Sequence, residues 1–539
     1  MRTIYKSLAA ALVLVPTLTG CVDETFPTTG ATEEQLGASA KAAEALLWAM
    51  PAFNNKFDVL GAGSANASDY DYGYPSIMHI RDVMTADMPI VASGYDHYIY
   101  WENNTYQGEG YIFPQFVWNY YTQRALTANN CIGAINPEGA SAQMLSYLGM
   151  GYAFRAQTYL EMAQMYEFLP NNAVSSVNLD GNNVEGLTVP IVTDKTTEEE
   201  ARKNPRATHQ QMFEFIMADL DAAEQYLAGA SRADKTLPNT AVVYGLKARA
   251  YMWNLDYAKA AEYASKAIAT GQFTPTTREQ WLSTTTGFND LNTSSWMWGI
   301  KTMKEDDVVQ TGILNFTSWT SNEAQYGYAA AGPNTLIDAA LYNSMSDRDF
   351  RKLSFKAPQG STLSGQEPVI DEAWAAELPE YASFKFRPGE GNTADYNVGS
   401  AVGIPLMRIE EMYFIQAEAT AQTSPAEGKK LLEDFMKTYR YSTYVCRASS
   451  KEDIIDEIFQ QKRAEFWGEG IMFFDYKRLN KSVIRSYDGS NFNVSFAYNT
   501  DGRPAWMNFV IVRSEGNNNE AVMGWNNPDP SGAYTAIPF

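Results

Sequence analysis

The chain has 539 residues, 45% apolar and 19% charged, a globular composition that excludes disorder along its whole length. Asp and Glu outnumber Lys and Arg by 63 to 41, a net charge of −22, which argues against a basic nucleic-acid binder. Three His (His79, His97, His209) argue against multi-His metal sites and His-based triads, whereas 33 Tyr, 26 Phe and 12 Trp suit both core packing and the gripping of polar ligands.

In chain order, residues 1–20 read as a secretory signal. Arg2 and Lys6 form its positive part and Leu8 to Leu18 its apolar part, too short for a membrane span. Leu18-Thr19-Gly20-Cys21 resembles a bacterial lipobox, which implies cleavage before Cys21 and its lipidation. A diacyl or triacyl anchor at that position holds a protein stably on a membrane. Residues 21–38 read as a polar tether. Residues 39–539 are expected to form one domain, with a helical part over about 39–271 and a loop-rich and C-terminal helical part over about 272–539.

Helices are predicted at about 38–50, 115–135 and 141–168, with a shorter one from Pro75 to Met84. After Pro205-Arg206-Ala207-Thr208, the residues Phe213, Ile216, Leu220, Ala223 and Leu227 recur at the three-to-four spacing of an amphipathic helix. A helix–turn–helix follows from Asn239 to Thr270. Tyr244, Ala248 and Tyr251 on its first helix, with Ala260, Ala264 and Ala267 on its second, match the small/large pattern of a tetratricopeptide repeat. Leu255-Asp256-Tyr257 forms the turn and Gly271 the stop. Further helices are predicted at 407–422, 426–440 and 451–467, the last opening on a capping box from Ser450 to Asp453. Trp296 to Ile300 alternates like a buried strand, and Phe509-Val510-Ile511-Val512 is β-like. The irregular regions 55–114 and 272–400 are long structured loops on a helical scaffold, the usual place for function. Cys131 and Cys446 are expected as two separate buried thiols.

Several segments together resemble the SusD/RagB family of outer-membrane nutrient-binding lipoproteins of Bacteroidetes. They are Trp118-Asn119-Tyr120-Tyr121 with Ala128-Asn129-Asn130; Gly151 to Tyr166, with Arg155, Ala156 and Tyr159 in step; and Pro205 to Thr208 with Asp219, Leu220 and Ala223. Arg408, Glu411, Tyr413, Ala417 and Glu418 follow, then Arg463 to Phe466, Glu469, Gly470, Asp475 and Arg478. Met472 stands where the family pattern has a basic residue, and Phe466 where it has Leu. Asp23 and Glu24, just after Cys21, resemble the surface-export signal of Bacteroidetes lipoproteins. The resemblance implies an all-α fold of tetratricopeptide-like helix pairs carrying large loop insertions. It also implies a non-enzymatic, surface-exposed, lipid-anchored protein of the outer membrane, one that binds oligosaccharides and passes them to a SusC-like TonB-dependent transporter as its lid. A peptide-binding lid of the same type of importer and a tetratricopeptide-type envelope scaffold are the alternatives.

The chemistry of the loops fits a binder. Asp69-Tyr70-Asp71-Tyr72-Gly73-Tyr74 and the run from Tyr95 to Asn104 mix aromatics with Asn, Asp and Glu. Aromatic faces stack on the C–H face of a sugar ring while the polar groups pair with its hydroxyls. Tyr98, Trp101, Asn103 and Asn104 from this loop, with Trp319 and Tyr326 from the second, are the candidate ligand-binding residues. Trp296 and Trp298 fit packing better. Arg81 and Asp82 are expected to pair with each other structurally. No D-x-D-x-D-G run supports a calcium site at Asp69 and Asp71, and no metal or cofactor is expected. No H-E-x-x-H, G-x-S-x-G, P-loop or G-x-G-x-x-G motif occurs, so no catalytic residues are assigned.

Overall fold

Caps and small residues decide where the helices of this chain begin, end and touch. The structure, a computed structural model, describes residues 40–63 and 66–539. The expected signal segment, Cys21 and the tether lie outside the described residues. The long helices are α1 (Ala40–Phe53), α2 (Tyr74–Val83), the one-turn α3 (Ile99–Glu102), α4 (Ile112–Gly133), α5 (Ala142–Tyr166), α6 (His209–Tyr226), α7 (Thr240–Trp253), α8 (Tyr257–Ala269), α9 (Ile409–Thr423), α10 (Pro425–Tyr439), α11 (Lys451–Glu465) and the short α12 (Met472–Arg478). Every predicted long helix is present, with ends within a few residues of those expected.

The local chemistry explains the boundaries. Thr208 and Gln211 form a reciprocal capping box at the start of α6. Asn239 caps α7 and Asp256 caps α8 through side-chain oxygens 3.1 Å from the backbone N–H three residues on. The α7–α8 turn passes through Leu255 at φ 58°, a left-handed position filled without glycine. At α11 Ser450 accepts from the Asp453 N–H at 3.0 Å, but among the described residues only that half of the expected box forms.

Helices α4 to α10 pack in sequence, each on the next, across the long insertion between α8 and α9. Ala260, Ala264 and Ala267 are fully buried and let α8 lie close to α7 and α9. At Gly428 of α10 a Cβ would come within 2.5 Å of Ala421 on α9, so only glycine permits that approach. The 272–400 insertion returns through a two-stranded antiparallel sheet, β1 (Trp296–Lys301) and β2 (Gly403–Arg408), with Ile300 opposite Ile404. Trp296 and Trp298 are buried there, as expected of a strand. The all-α expectation holds, with this small sheet as its exception.

Phe509–Val512 does not become a strand. Its backbone is paired by side-chain amides instead: Asn526 bonds both the N–H and the C=O of Ile511, and Asn527 donates to the Phe509 carbonyl at 2.7 Å. Those bonds do the work a neighbouring strand would have done. Cys131 and Cys446 are both buried, and among the described residues neither forms a disulfide. Among the described residues no helix is long and apolar enough to cross a membrane.

Candidate functional site

The first loop and the insertion meet in a belt of aromatic rings. Its inner part is closed. Trp101 packs edge-on against Tyr70 and Phe113, with ring centroids 4.8 and 5.1 Å away. Tyr98 lies against Trp101 and, edge-on at 4.9 Å, against Trp319. Trp319 stacks on Tyr328 at 4.0 Å and donates its indole N–H to the Asp69 carbonyl at 3.2 Å. The Tyr98 hydroxyl bonds Ser76 Oγ at 2.8 Å and Tyr72 Oη at 2.7 Å.

This arrangement places most of the expected ligand-binding residues inside the fold. Tyr98, Trp101, Trp319 and Asn104 are buried with their surfaces already covered, so they form the foundation of the belt and cannot offer a face to a ligand in this structure. The cause is aromatic self-packing, which a polar sequence neighbourhood does not reveal. Asn104 donates to the Pro530 carbonyl at 3.1 Å. Asn103 is half-buried and accepts from the Thr105 N–H at 3.0 Å. Tyr326 is half-buried, with its hydroxyl 3.3 Å from Ser400 Oγ.

The exposed rim consists of other residues. Tyr95 is 55% exposed, and Tyr106 and Tyr111 are 43% exposed each. Asn104 (φ 52°) and Tyr106 (φ 59°) both occupy the left-handed region, so the chain turns sharply, burying Asn104 and presenting Tyr106. At the opposite end of the belt His97 Nδ1 lies 3.1 Å from Asp69 Oδ2, both side chains about one-third exposed. The other Asp69 oxygen accepts the Tyr328 hydroxyl. His97 packs edge-on against both Trp319 and Tyr328. A carboxylate, an imidazole and the Tyr95 phenol therefore stand at the surface over an aromatic base. Such a set can hydrogen-bond hydroxyls beside a stacking face. Polar sequence neighbours mark Tyr95 and Tyr106 as much as Trp319: Gly94 and Asp96 flank the first, Thr105 and Gln107 the second, Ser318 and Thr320 the third.

Asp71 does not join Asp69. Its carboxylate accepts from the Val59 and Leu60 N–H groups at 2.8 and 2.9 Å, and burial pushes it up to about 6. Among the described residues no group of three His, Cys, Asp or Glu could hold a metal ion. Arg81 and Asp82 do not pair either, because successive helix residues point about 100° apart. Arg81 instead reaches Glu161 at 3.1 Å and the Tyr74 hydroxyl at 3.0 Å, while Asp82 accepts from the Gly470 N–H at 2.9 Å. Burial holds the Asp82 carboxyl well above the usual range.

Comparison with known proteins agrees with this architecture. Residues 53–252 match a SusD-like family model described as starch-binding associating with outer membrane, and residues 246–532 match the model of the SusD family. The chain belongs to the SusD family. A SusD-like protein from Formosa agariphila is 21% identical over 379 residues, 62% of this chain and 67% of that protein. The fold is shared with a SusD-like carbohydrate binding protein from Bacteroides vulgatus, at TM-score 0.67 and 21% identity over 89% of this chain and 96% of that one. It is also shared with surface glycan-binding protein A from Bacteroides thetaiotaomicron in complex with laminarihexaose, at TM-score 0.63 and 14% identity over 90% and 99% of the two chains.

The SusD-type motif residues turn out to hold one another. Arg155 clamps Asp219 through two bonds of 2.8 Å and reaches Asp194 at 2.9 Å. Arg249 clamps Glu411 of α9. Glu418 takes Lys462 at 3.1 Å and Arg478 at 2.5 Å. Arg408, at the end of β2, reaches Glu469 through two bonds of 2.8 and 2.9 Å. Arg206 gathers the Tyr166, Leu187, Thr188 and Trp525 carbonyls. These residues fix the scaffold that carries the belt and lie outside its rim.

Proposed function

We propose that this SusD-family protein is a surface-exposed, lipid-anchored subunit that binds oligosaccharides and delivers them to a SusC-like TonB-dependent transporter, acting as its lid. Cys21 is the proposed anchor. The observation that carries the binding reading is the exposed Tyr95 beside the one-third-exposed Asp69 and His97, over the buried Trp319 and Tyr328 stack. No bond-making group is needed: the exposed Tyr95 ring supplies a stacking face, and the carboxylate and imidazole orient hydroxyls.

Laminarihexaose and maltohexaose are suitable first probes, since the first is bound by a structural neighbour and the second represents starch. Tyr95→Ala and His97→Ala should each weaken the bound hexaose about five- to tenfold by calorimetry, the loss of one stacking or hydroxyl contact, with thermal midpoints unchanged. Unchanged affinity in both variants would remove this end of the belt from the site. The transporter reading is tested by affinity purification of the lipidated protein from its native membrane. A large TonB-dependent barrel should co-purify, and recovery of assembly factors alone would favour an envelope scaffold.

A further inference from the structure

A cavity lined by none of the belt residues lies where the ends of α5 and α7, the start of α6 and the short α12 converge. It has a volume of about 390 Å³, and its walls include His209, Trp253, Asn254, Phe474, Lys477 and Arg503. That size falls within the range of small-ligand sites.

Its charge is unusual for a chain of net −22. Lys477 and Arg503 of the wall, with Arg206 outside it, share one carboxylate, Glu167, as their nearby counter-charge. Glu167 is itself committed: one oxygen lies 2.8 Å from His209 Nδ1, and the other accepts the Trp253 indole N–H at 2.8 Å. Burial opposes charge on His209, but the bond to Glu167, the Glu167 charge and the bond to Asn254 together outweigh it and raise its pKa.

Two of the three cations have a structural use. Lys477 donates to the Met165 and Glu167 carbonyls at 3.0 and 2.8 Å, and Arg206 to that of Tyr166, so both cap the end of α5. Arg478, also on the wall, is neutralised by Glu418 and Asp475. Arg503 has no such use. Among the described residues its guanidinium makes no ion pair and its buried Nε has no hydrogen-bond partner. Burial therefore lowers its pKa, with Glu167 only partly offsetting it. Arg503 is half-buried, and among the described residues its terminal guanidinium nitrogens likewise bond no protein acceptor, which leaves them for an anion in the cavity.

We infer that this cavity is a binding site for a small carboxylate-bearing ligand of sugar size, a uronic acid unit, with the carboxylate on Arg503 and the ring against the half-buried Phe474. Arginine favours planar anions, which it can grip through two N–H groups. Trp253 and Phe474 supply apolar walls, and the Asn254 amide offers hydroxyl pairing. The site is independent of the aromatic rim, so it stands or falls apart from the proposed oligosaccharide site.

The test uses the full mature chain with glucuronate, glucose and inorganic phosphate at matched ionic strength. Glucuronate should bind by calorimetry and raise the thermal midpoint, and glucose should do neither. Arg503→Met should weaken glucuronate about tenfold or more while keeping the fold, because no protein partner is lost. Arg503→Lys should retain part of the affinity, and Tyr95→Ala should retain all of it. Equal binding of glucose, stronger binding of phosphate than of glucuronate, or an unchanged affinity in Arg503→Met would each overturn the assignment.

Discussion

Glu465→Gln should be among the most destabilising single substitutions in this protein, costing about 3–5 kcal/mol as expected for breaking a buried charge cluster. Glu465 is fully buried at the end of α11 and receives three arginines from three parts of the chain. Arg351 reaches it at 2.9 Å, Arg408 at 3.1 Å, and Arg440 through two bonds of 2.7 and 2.5 Å. The amide would leave those guanidinium groups buried with less than their counter-charge. Burial alone would raise the Glu465 pKa, but Arg440, Arg408 and Arg351 outweigh it and hold the carboxyl well below the usual range. A group depressed in the folded state contributes stability that is present above its unfolded pKa, about 4.3, and lost as pH falls through the folded value. The gap in unfolding free energy between wild type and Glu465→Gln should therefore be widest near neutrality and narrow as pH drops below about 4. Denaturant titrations across that range measure it. Carboxyls shifted the other way, such as Asp71 and Asp82, are common to both proteins and cancel in the difference. A gap that does not vary with pH would mean that Glu465 acts by packing alone.

The scaffold was legible because its signals are local. The three-to-four spacing of Phe213, Ile216 and Leu220, the Thr208 cap and the alanines of α8 lie within a few residues of what they control. The site was less legible because its geometry is set across long distances. Tyr98 is buried by Trp319, which lies 221 positions further along, and Asp69 is engaged by Tyr328, 259 positions away. Nothing between Tyr95 and Trp101 says which rings turn inward, since the same Tyr, Asp and His alternate in both roles. The tail shows the same limit in another form: Phe509–Val512 has the residues of a strand, but Asn526 and Asn527 satisfy its backbone before any strand can. The motif residues gave away the family without giving away the site, because Arg155 pairs with Asp219, Arg408 with Glu469 and Glu418 with Arg478, and these pairs brace the helices.

Trp101→Ala should cost about 3–5 kcal/mol of stability, the range for removing a large aromatic from a packed core. Trp101 has no exposed surface and touches Tyr70, Tyr98 and Phe113, the rings that tie the first loop to α4. Its loss opens a cavity beneath the belt, and the rim above would lose its support. Weakened glycan binding in this variant would then reflect a loosened platform and not a missing contact. Trp101→Phe separates the two roles. Among the described residues the buried indole N–H has no hydrogen-bond partner, so its removal relieves a penalty of about 1–3 kcal/mol that offsets part of the lost packing. Trp101→Phe should therefore unfold much closer to wild type and bind the hexaoses as wild type does. If Trp101→Ala instead kept its unfolding midpoint and lost only glycan binding, the indole would have to face the ligand, and the buried belt described here would not be the state that binds.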